Sequence, residues 1–178
     1  MKILATGNPN YDGLCSGINS TLDNVDFIGR WNNWNMEDFD AISKKAKDYD
    51  VFINSQFGPN DLQLHILNSV YDKFDKGHII NISSSSAYWK NGSPQEYIET
   101  KNRLEERSKE LSNICCWGNS NIRVSCIAFG QLNSQSQKSK NDNRNKIDLV
   151  DAAELIKWLI NDVSKTYNLH YIAMDAIV

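Results

Sequence analysis

The sequence predicts an α/β fold: a doubly wound parallel sheet of about six strands with helices on both faces. Short apolar runs alternate along the chain with longer amphipathic segments, the pattern of strands joined by helical crossovers. The runs are nearly continuous in apolar residues, as strands buried on both faces require. At 178 residues the chain is long enough to bury one core and is expected to form one domain, residues 1–178, with no second substrate domain.

The elements follow in order. Ile3-Leu4-Ala5 marks a strand near 2–6, and a glycine-containing turn leads into a helix near 14–22. Phe27-Ile28 lies in a strand near 25–29, and a helix near 37–48 separates it from Val51-Phe52-Ile53, in a strand near 50–54. The helix near 60–75 carries a stripe of Leu62, Ile66, Val70 and Phe74, with Leu64, Leu67 and Tyr71 beside it. Ile79-Ile80-Asn81-Ile82 forms the strand near 78–83. Ser93, Pro94 and Glu96 are residue types of an N-cap, a first and a third helical position, and they open a helix near 94–112. A strand near 122–128, a helix near 150–163 and a strand near 170–174 complete the pattern, with right-handed crossovers throughout.

A net charge of −3 without a long basic run excludes a nucleic-acid surface. The lysines between Lys138 and Lys146 alternate with Ser, Asn and Asp, as in a solvated loop. Cys15, Cys115, Cys116 and Cys126 have no CxxC spacing and read as reduced thiols, and His65, His78 and His170 have no ligand spacing, so no metal is expected. Too few apolar residues follow Met1-Lys2 for a signal segment, and no run is long enough to cross a bilayer. The expected location is cytoplasmic, with no membrane partner.

The chemistry centres on Tyr97 and Lys101, four residues apart, and on Ser84 at the end of the strand before them. Residues i and i+4 share a helix face, which predicts the Lys101 ammonium beside the Tyr97 phenol. A positive charge there lowers a phenol pKa from about 10 toward the range of a general acid or base. Ser84 would hold the substrate oxygen. A surface helix carrying an aromatic and a lysine is the plain alternative.

Four stretches in order resemble the short-chain dehydrogenase/reductase family: Thr6-Gly7 after the first strand, Gly77-His78-Ile79-Ile80-Asn81-Ile82-Ser83-Ser84, Tyr97-Ile98-Glu99-Thr100-Lys101, and Ile122-Arg123-Val124-Ser125-Cys126-Ile127-Ala128-Phe129-Gly130. They are similar to the family's cofactor loop, its GxIVNISS strand, its YxxSK and its IRVNxIxPG. The resemblance implies a Rossmann-like NAD(P)-binding domain in which Ser84, Tyr97 and Lys101 act on a carbonyl. Only four residues lie between Arg30 and Asn35, whereas a return to a parallel neighbour takes about a dozen. The family's usual third strand is therefore expected to be missing, giving the sheet order 2-1-3-4-5-6 with ligand over the carboxyl ends of strands 1 and 3.

The resemblance also implies cofactor contacts. The loop Gly7, Asn8, Gly13, Leu14 is longer than the usual glycine loop and is similar to that of the divergent branch of the family; Gly7 suits a tight turn and Gly13 a close approach to pyrophosphate. Arg30, with no carboxylate beside it at the end of strand 2, favours a 2′-phosphate, hence NADP(H), with NAD(H) as the alternative. Trp31 or Trp34 would cover the adenine, and Asn35 would line its pocket. Asn54 and Ser55 stand where the family borders the ribose, while Asn60 is either a relay asparagine or a helix cap. Gly130, Leu132 and Ser134 follow the fifth strand, with Ser134 placed to bond the nicotinamide carboxamide. Gln131 to Asn145 reads as a flap, and Tyr88, Trp89 and Phe129 as aromatic pocket walls.

The implied function is an NADP(H)-dependent oxidoreductase acting on a small carbonyl or alcohol, with Tyr97 as general acid/base. The helix 60–75 stripe is wider than one sheet contact needs, and the resemblance implies that this helix and the catalytic one pair across a two-fold axis in a homodimer or homotetramer. A nucleotide-binding sensor or scaffold without turnover, and an isomerase or epimerase, stay open as alternatives.

Overall fold

The computed structural model describes residues 1–89, 93–118, 120–135, 145–163 and 169–176. Its strands are β1 Ile3–Thr6, β2 Val25–Ile28, β3 Val51–Asn54, β4 Gly77–Ser84, β5 Ile122–Phe129 and β6 Tyr171–Met174. They form one sheet in the order β2-β1-β3-β4-β5-β6, every neighbouring pair parallel, as the shortened crossover requires. The helices are α1 Leu14–Thr21, α2 Phe39–Ala46, α3 Leu62–Lys73, α4 Ser86–Trp89, α5 Gln95–Trp117 and α6 Leu149–Trp158, the last continuing as one wide turn, Leu159–Val163.

Neighbouring residues of each central strand feed opposite cores. Ile3, Ala5, Val51, Ile53, Ile80 and Ile82 pack with α1 and α6, while Leu4, Phe52 and Ile79 pack with α2, α3 and α5. Strands buried on both faces have no polar side to present, which is why their sequences run apolar. Gly17 lies where α1 crosses α6 so closely that a Cβ would overlap the Leu149 carbonyl. It is a packing glycine.

The short link after β2 is a stapled turn. Gly29 N–H donates to Asn32 Oδ1 at 2.9 Å, and Asn32 Nδ2 to the Phe27 carbonyl at 2.9 Å. Asn33 takes the left-handed conformation (φ 67°), which asparagine tolerates. Asp38 then caps α2, accepting from Ala41 N–H at 3.0 Å, and α2 carries the chain past β1 to β3.

One flank of β4 is polar. Asn81 Nδ2 donates to Ser108 Oγ at 3.0 Å and Ser83 Oγ to Glu105 Oε1 at 2.5 Å, so the half of α5 nearest the strand's carboxyl end is held by hydrogen bonds. Farther along, Leu111 and Cys115 are buried, which prolongs the helix to Trp117, beyond the expected residue 112. At its start Pro94 occupies the N-cap, one residue later than expected, and Ser93 Oγ turns to Ser86 Oγ at 3.0 Å. No helix among the described residues is long and apolar enough to cross a membrane.

Candidate active site

A cavity of about 770 Å³ opens over the carboxyl ends of β1, β3, β4 and β5. Ser84, Tyr97 and Lys101 form one wall, the loop Gly7, Asn8, Gly13 and Leu14 another, and Gly130, Leu132 and Ser134 a third. Both the volume and the mixed lining suit a ligand site.

The end of β4 and the first turn of α5 bring Ser84 and Tyr97 together in the cavity wall. The Ser84 hydroxyl accepts from Ser86 N–H at 3.3 Å. Burial pushes the Tyr97 phenol above its usual pKa, and the Ser84 hydroxyl offsets part of that rise. The Phe57 ring meets Tyr97 edge to face at 4.9 Å.

Lys101 corrects one expectation. Its ammonium lies 5.7 Å from the centre of the Tyr97 ring and donates to Gln63 Oε1 at 2.8 Å and the Ile82 carbonyl at 2.9 Å. A lysine stem of four carbons carries the charge to those acceptors, and the phenol is raised rather than lowered. Lys101 itself is 4% exposed, and loss of solvent pulls its pKa down to about 8. An ammonium has three donors; two are used here, and the residue lines the cavity.

Three further expectations change. Asn60 is exposed, with φ 54°, lies outside the cavity wall, and yields the N-cap of α3 to Asp61. Gln63 stands in its stead: buried at 1% exposure, it holds Lys101 and donates to the Asn54 carbonyl at 2.6 Å and the Ile82 carbonyl at 2.9 Å. Its signal was readable, since Gln63 shares the i, i+3, i+4, i+7 stripe with buried Ile66, Leu67 and Val70, and a polar residue there needs a buried partner. Asn54 is wholly buried, donating to the Gln63 carbonyl at 2.9 Å and Asn81 Oδ1 at 3.0 Å; the register pairs it with Asn81, away from the cavity wall. Asn35 is exposed and its Oδ1 accepts from Glu37 N–H at 3.1 Å, so it shapes the turn before α2. Arg30 is exposed, outside the cavity wall, and makes no ion pair among the described residues.

The glycine loop fits a dinucleotide phosphate. Gly7 has φ 135°, where side chains are strained, and a Cβ there would strike Cys15 Sγ. Ser16, in the first turn of α1, donates to the Gly13 carbonyl at 2.7 Å and fixes the helix start. Leu14 and Cys15, whose amides no carbonyl of the helix can reach, line the cavity. Ser55 joins them: its N–H donates to Thr6 Oγ1 at 2.9 Å and its hydroxyl to the Thr6 carbonyl. Trp31 Nε1 donates to the Gly7 carbonyl at 2.8 Å, so of the two tryptophans it is Trp31 that stands beside the loop. Trp34 packs against the core with Lys45 over its ring at 5.9 Å.

Past β5, the amide of Gln135 donates to the Asp12 carbonyl at 3.0 Å, which ties this segment to the glycine loop. Leu132 pairs with Ile147, and Ser134 is 8% exposed in the cavity wall. Most of the expected flap, residues 136–144, lies outside the described residues, as does the Trp89 side chain. Phe129 lines the cavity, Tyr88 does not, and Tyr11 and Phe57, which the sequence did not single out, do.

No family model matches the sequence, and no curated protein does. Solved structures do match. A 3-ketoacyl-(acyl-carrier-protein) reductase from Brucella melitensis complexed with NADH superposes with a TM-score of 0.74 at 14% identity, covering 98% of this chain and 96% of that one. A short-chain dehydrogenase from Burkholderia cenocepacia in complex with NADP gives 0.70 at 14% identity, over 98% and 96%. L-sorbose reductase from Gluconobacter frateurii, complexed with NADPH and L-sorbose, gives 0.71 at 14% identity, over 98% and 95%. With the same parallel sheet and a likeness spread over nearly its whole length, this chain has the fold of the short-chain dehydrogenases/reductases.

Proposed function

We propose that the chain is an NADP(H)-dependent oxidoreductase that moves hydride between nicotinamide and the carbon of a small carbonyl or alcohol substrate. The observation that carries this reading is that Ser84 and Tyr97 meet in the wall of a cavity that Gly7 and Gly13 also line. Proton donor and phosphate loop thus share one space. When bound, the nicotinamide supplies the hydride.

The protein's own residues handle the oxygen. A phenol pushed up by burial keeps its proton at neutral pH, so Tyr97 serves first as an acid, which favours reduction of a carbonyl. Ser84 orients that oxygen, and the remaining Lys101 donor reaches a ribose hydroxyl. The amides of Gly7, Asn8, Gly13 and Leu14 would hold the pyrophosphate, Ser55 the neighbouring ribose, and Gly130, Leu132 and Ser134 the nicotinamide end. The bound NADH, NADP and NADPH of the structural neighbours support a nicotinamide cofactor, and L-sorbose supports a small polar substrate.

Arg30 bears on the choice between the two nucleotides. It directly precedes Trp31, which is anchored on Gly7, and the carboxylate of Asp26 on β2 is engaged by the Tyr49 hydroxyl at 2.6 Å. A guanidinium with no competing acid suits a 2′-phosphate. In fluorescence titrations, Arg30→Ala is expected to weaken NADPH binding about 10- to 100-fold and to leave NADH within about twofold. Equal loss for both nucleotides would remove the case for NADP(H), and no binding of either by the wild type would remove the oxidoreductase reading.

The proposal includes a homodimer or homotetramer. Half-buried Leu64 and Tyr71 lie on the outer side of α3, next to Arg103, paired with Asp61, and Arg107, bonded to Asn68. Light scattering is expected to give a mass at least twice that of one chain; a monomer at micromolar concentration would exclude it.

A further inference from the structure

Helix α5 places Tyr97, Lys101 and Glu105 at successive i, i+4 positions, so the three side chains share one face. Glu105 has no part in the chemistry above, yet it is only 8% exposed. A carboxylate taken out of water needs partners. Oε1 accepts from Ser83 Oγ at 2.5 Å, and Oε2 accepts from the Tyr88 hydroxyl.

Lys101, one turn earlier, donates only to neutral acceptors, Gln63 Oε1 and the Ile82 carbonyl. The titratable groups around it are Tyr97 and Glu105 on α5 and Cys126 on β5. Around Glu105 stand Lys101, Tyr88 on α4, Tyr171 on β6 and Cys126. Burial pushes Tyr88, Tyr97, Tyr171 and Cys126 upward, so all four are neutral at physiological pH. Burial raises the Glu105 carboxyl too, while Ser83, Tyr88 and Lys101 draw it back down, and among the described residues it is the group left to carry a negative charge here. Lys101 and Glu105 also grip consecutive residues of β4, Ile82 and Ser83, and the next residue is Ser84.

We infer that Glu105 is a positioning residue of this site: its carboxylate is the buried counter-charge of the Lys101 ammonium and, through Ser83, fixes the end of β4 against α5 so that Ser84 meets Tyr97. The inference rests on the proposed function for the roles of Ser84, Tyr97 and Lys101. The electrostatic pairing is readable without nucleotide or turnover.

The test is an NMR titration of protein labelled with ¹³C-lysine. Lys101 is identified as the one Cε resonance that titrates near 8 and is missing from Lys101→Met. In Glu105→Gln that resonance is expected to titrate lower by roughly one pH unit or more. In Glu105→Asp, which keeps the charge, it is expected to stay within about half a unit of wild type. An unmoved resonance in Glu105→Gln overturns the inference. Should Glu105→Gln fail to fold, the wild-type protein decides: the Lys101 resonance shifts a second time over the pH range in which the Glu105 carboxyl titrates, and absence of that second step also overturns it. Failure of the wild type to bind NADPH would end the oxidoreductase reading and leave this titration as it stands, so the two fail separately.

Discussion

Replacing Tyr97 with phenylalanine is expected to lower kcat for carbonyl reduction about 10²- to 10⁴-fold, the contribution of a positioned general acid, while the Kd for NADPH stays within about twofold. The change removes one hydroxyl, whose protein partner is Ser84. The ring keeps its contact with Phe57 at 4.9 Å and with the Lys101 ammonium at 5.7 Å. Stability should therefore shift by no more than about 1 kcal/mol, the net worth of a neutral hydrogen bond. Steady-state rates on a carbonyl that the wild type reduces, set beside a fluorescence titration, separate chemistry from binding. A rate within tenfold of wild type would show that another group donates the proton. The pH profile adds a sign: because burial raises the phenol, reduction should hold level through neutrality and fall only on the alkaline side, as Tyr97 loses its proton.

Lys101→Met should abolish turnover as thoroughly and also change how stability depends on pH. Burial takes the Lys101 pKa from 10.5 to about 8, so between those values the unfolded chain binds more protons than the folded one. Stability then rises with pH across that window and is withheld below it. At about 1.4 kcal/mol per pH unit the full effect is roughly 3 kcal/mol. The tyrosines raised by burial act oppositely above their unfolded value of 10, and so do the buried thiols Cys15 and Cys126 above 9, so the lysine's share is the difference between wild type and Lys101→Met. Between pH 8 and 10, urea unfolding of the wild type should gain roughly 2 kcal/mol relative to Lys101→Met. Equal slopes would mean that Lys101 is not the group that titrates.

These effects meet at residues whose legibility in the sequence differs. The strand order could be read because four residues between Arg30 and Asn35 cannot carry a crossover. Ser84 and Tyr97 could be read because a strand end and a helix start are fixed by local pattern. Local pattern marks Gln63 as buried but does not reach the partners of Gln63, Asn54 and Lys101, whose places depend on one another. Their polar atoms are buried between α3, β3, β4 and α5, segments far apart in the chain, and each settles where the others leave a donor or acceptor. The i+4 rule set Lys101 on the right face but could not place the end of its stem. The resemblance assigns Asn35 to the adenine pocket and Asn60 to a proton relay or a helix cap, while their backbones use them for turns, the commonest task of asparagine in a loop.

Without a crossover strand after β2, that strand is a margin of the sheet, paired among the described residues with β1 alone. A bare margin is a template on which a second chain can add a strand, and exposed margins drive proteins to aggregate. Here the hazard is contained by brevity and charge. The strand is four residues long, and exposed Asp26, at its second position, would place an acid in any strand laid alongside. The margin of this shorter sheet thus carries a carboxylate on a four-residue strand, where a longer apolar strand would invite a neighbour.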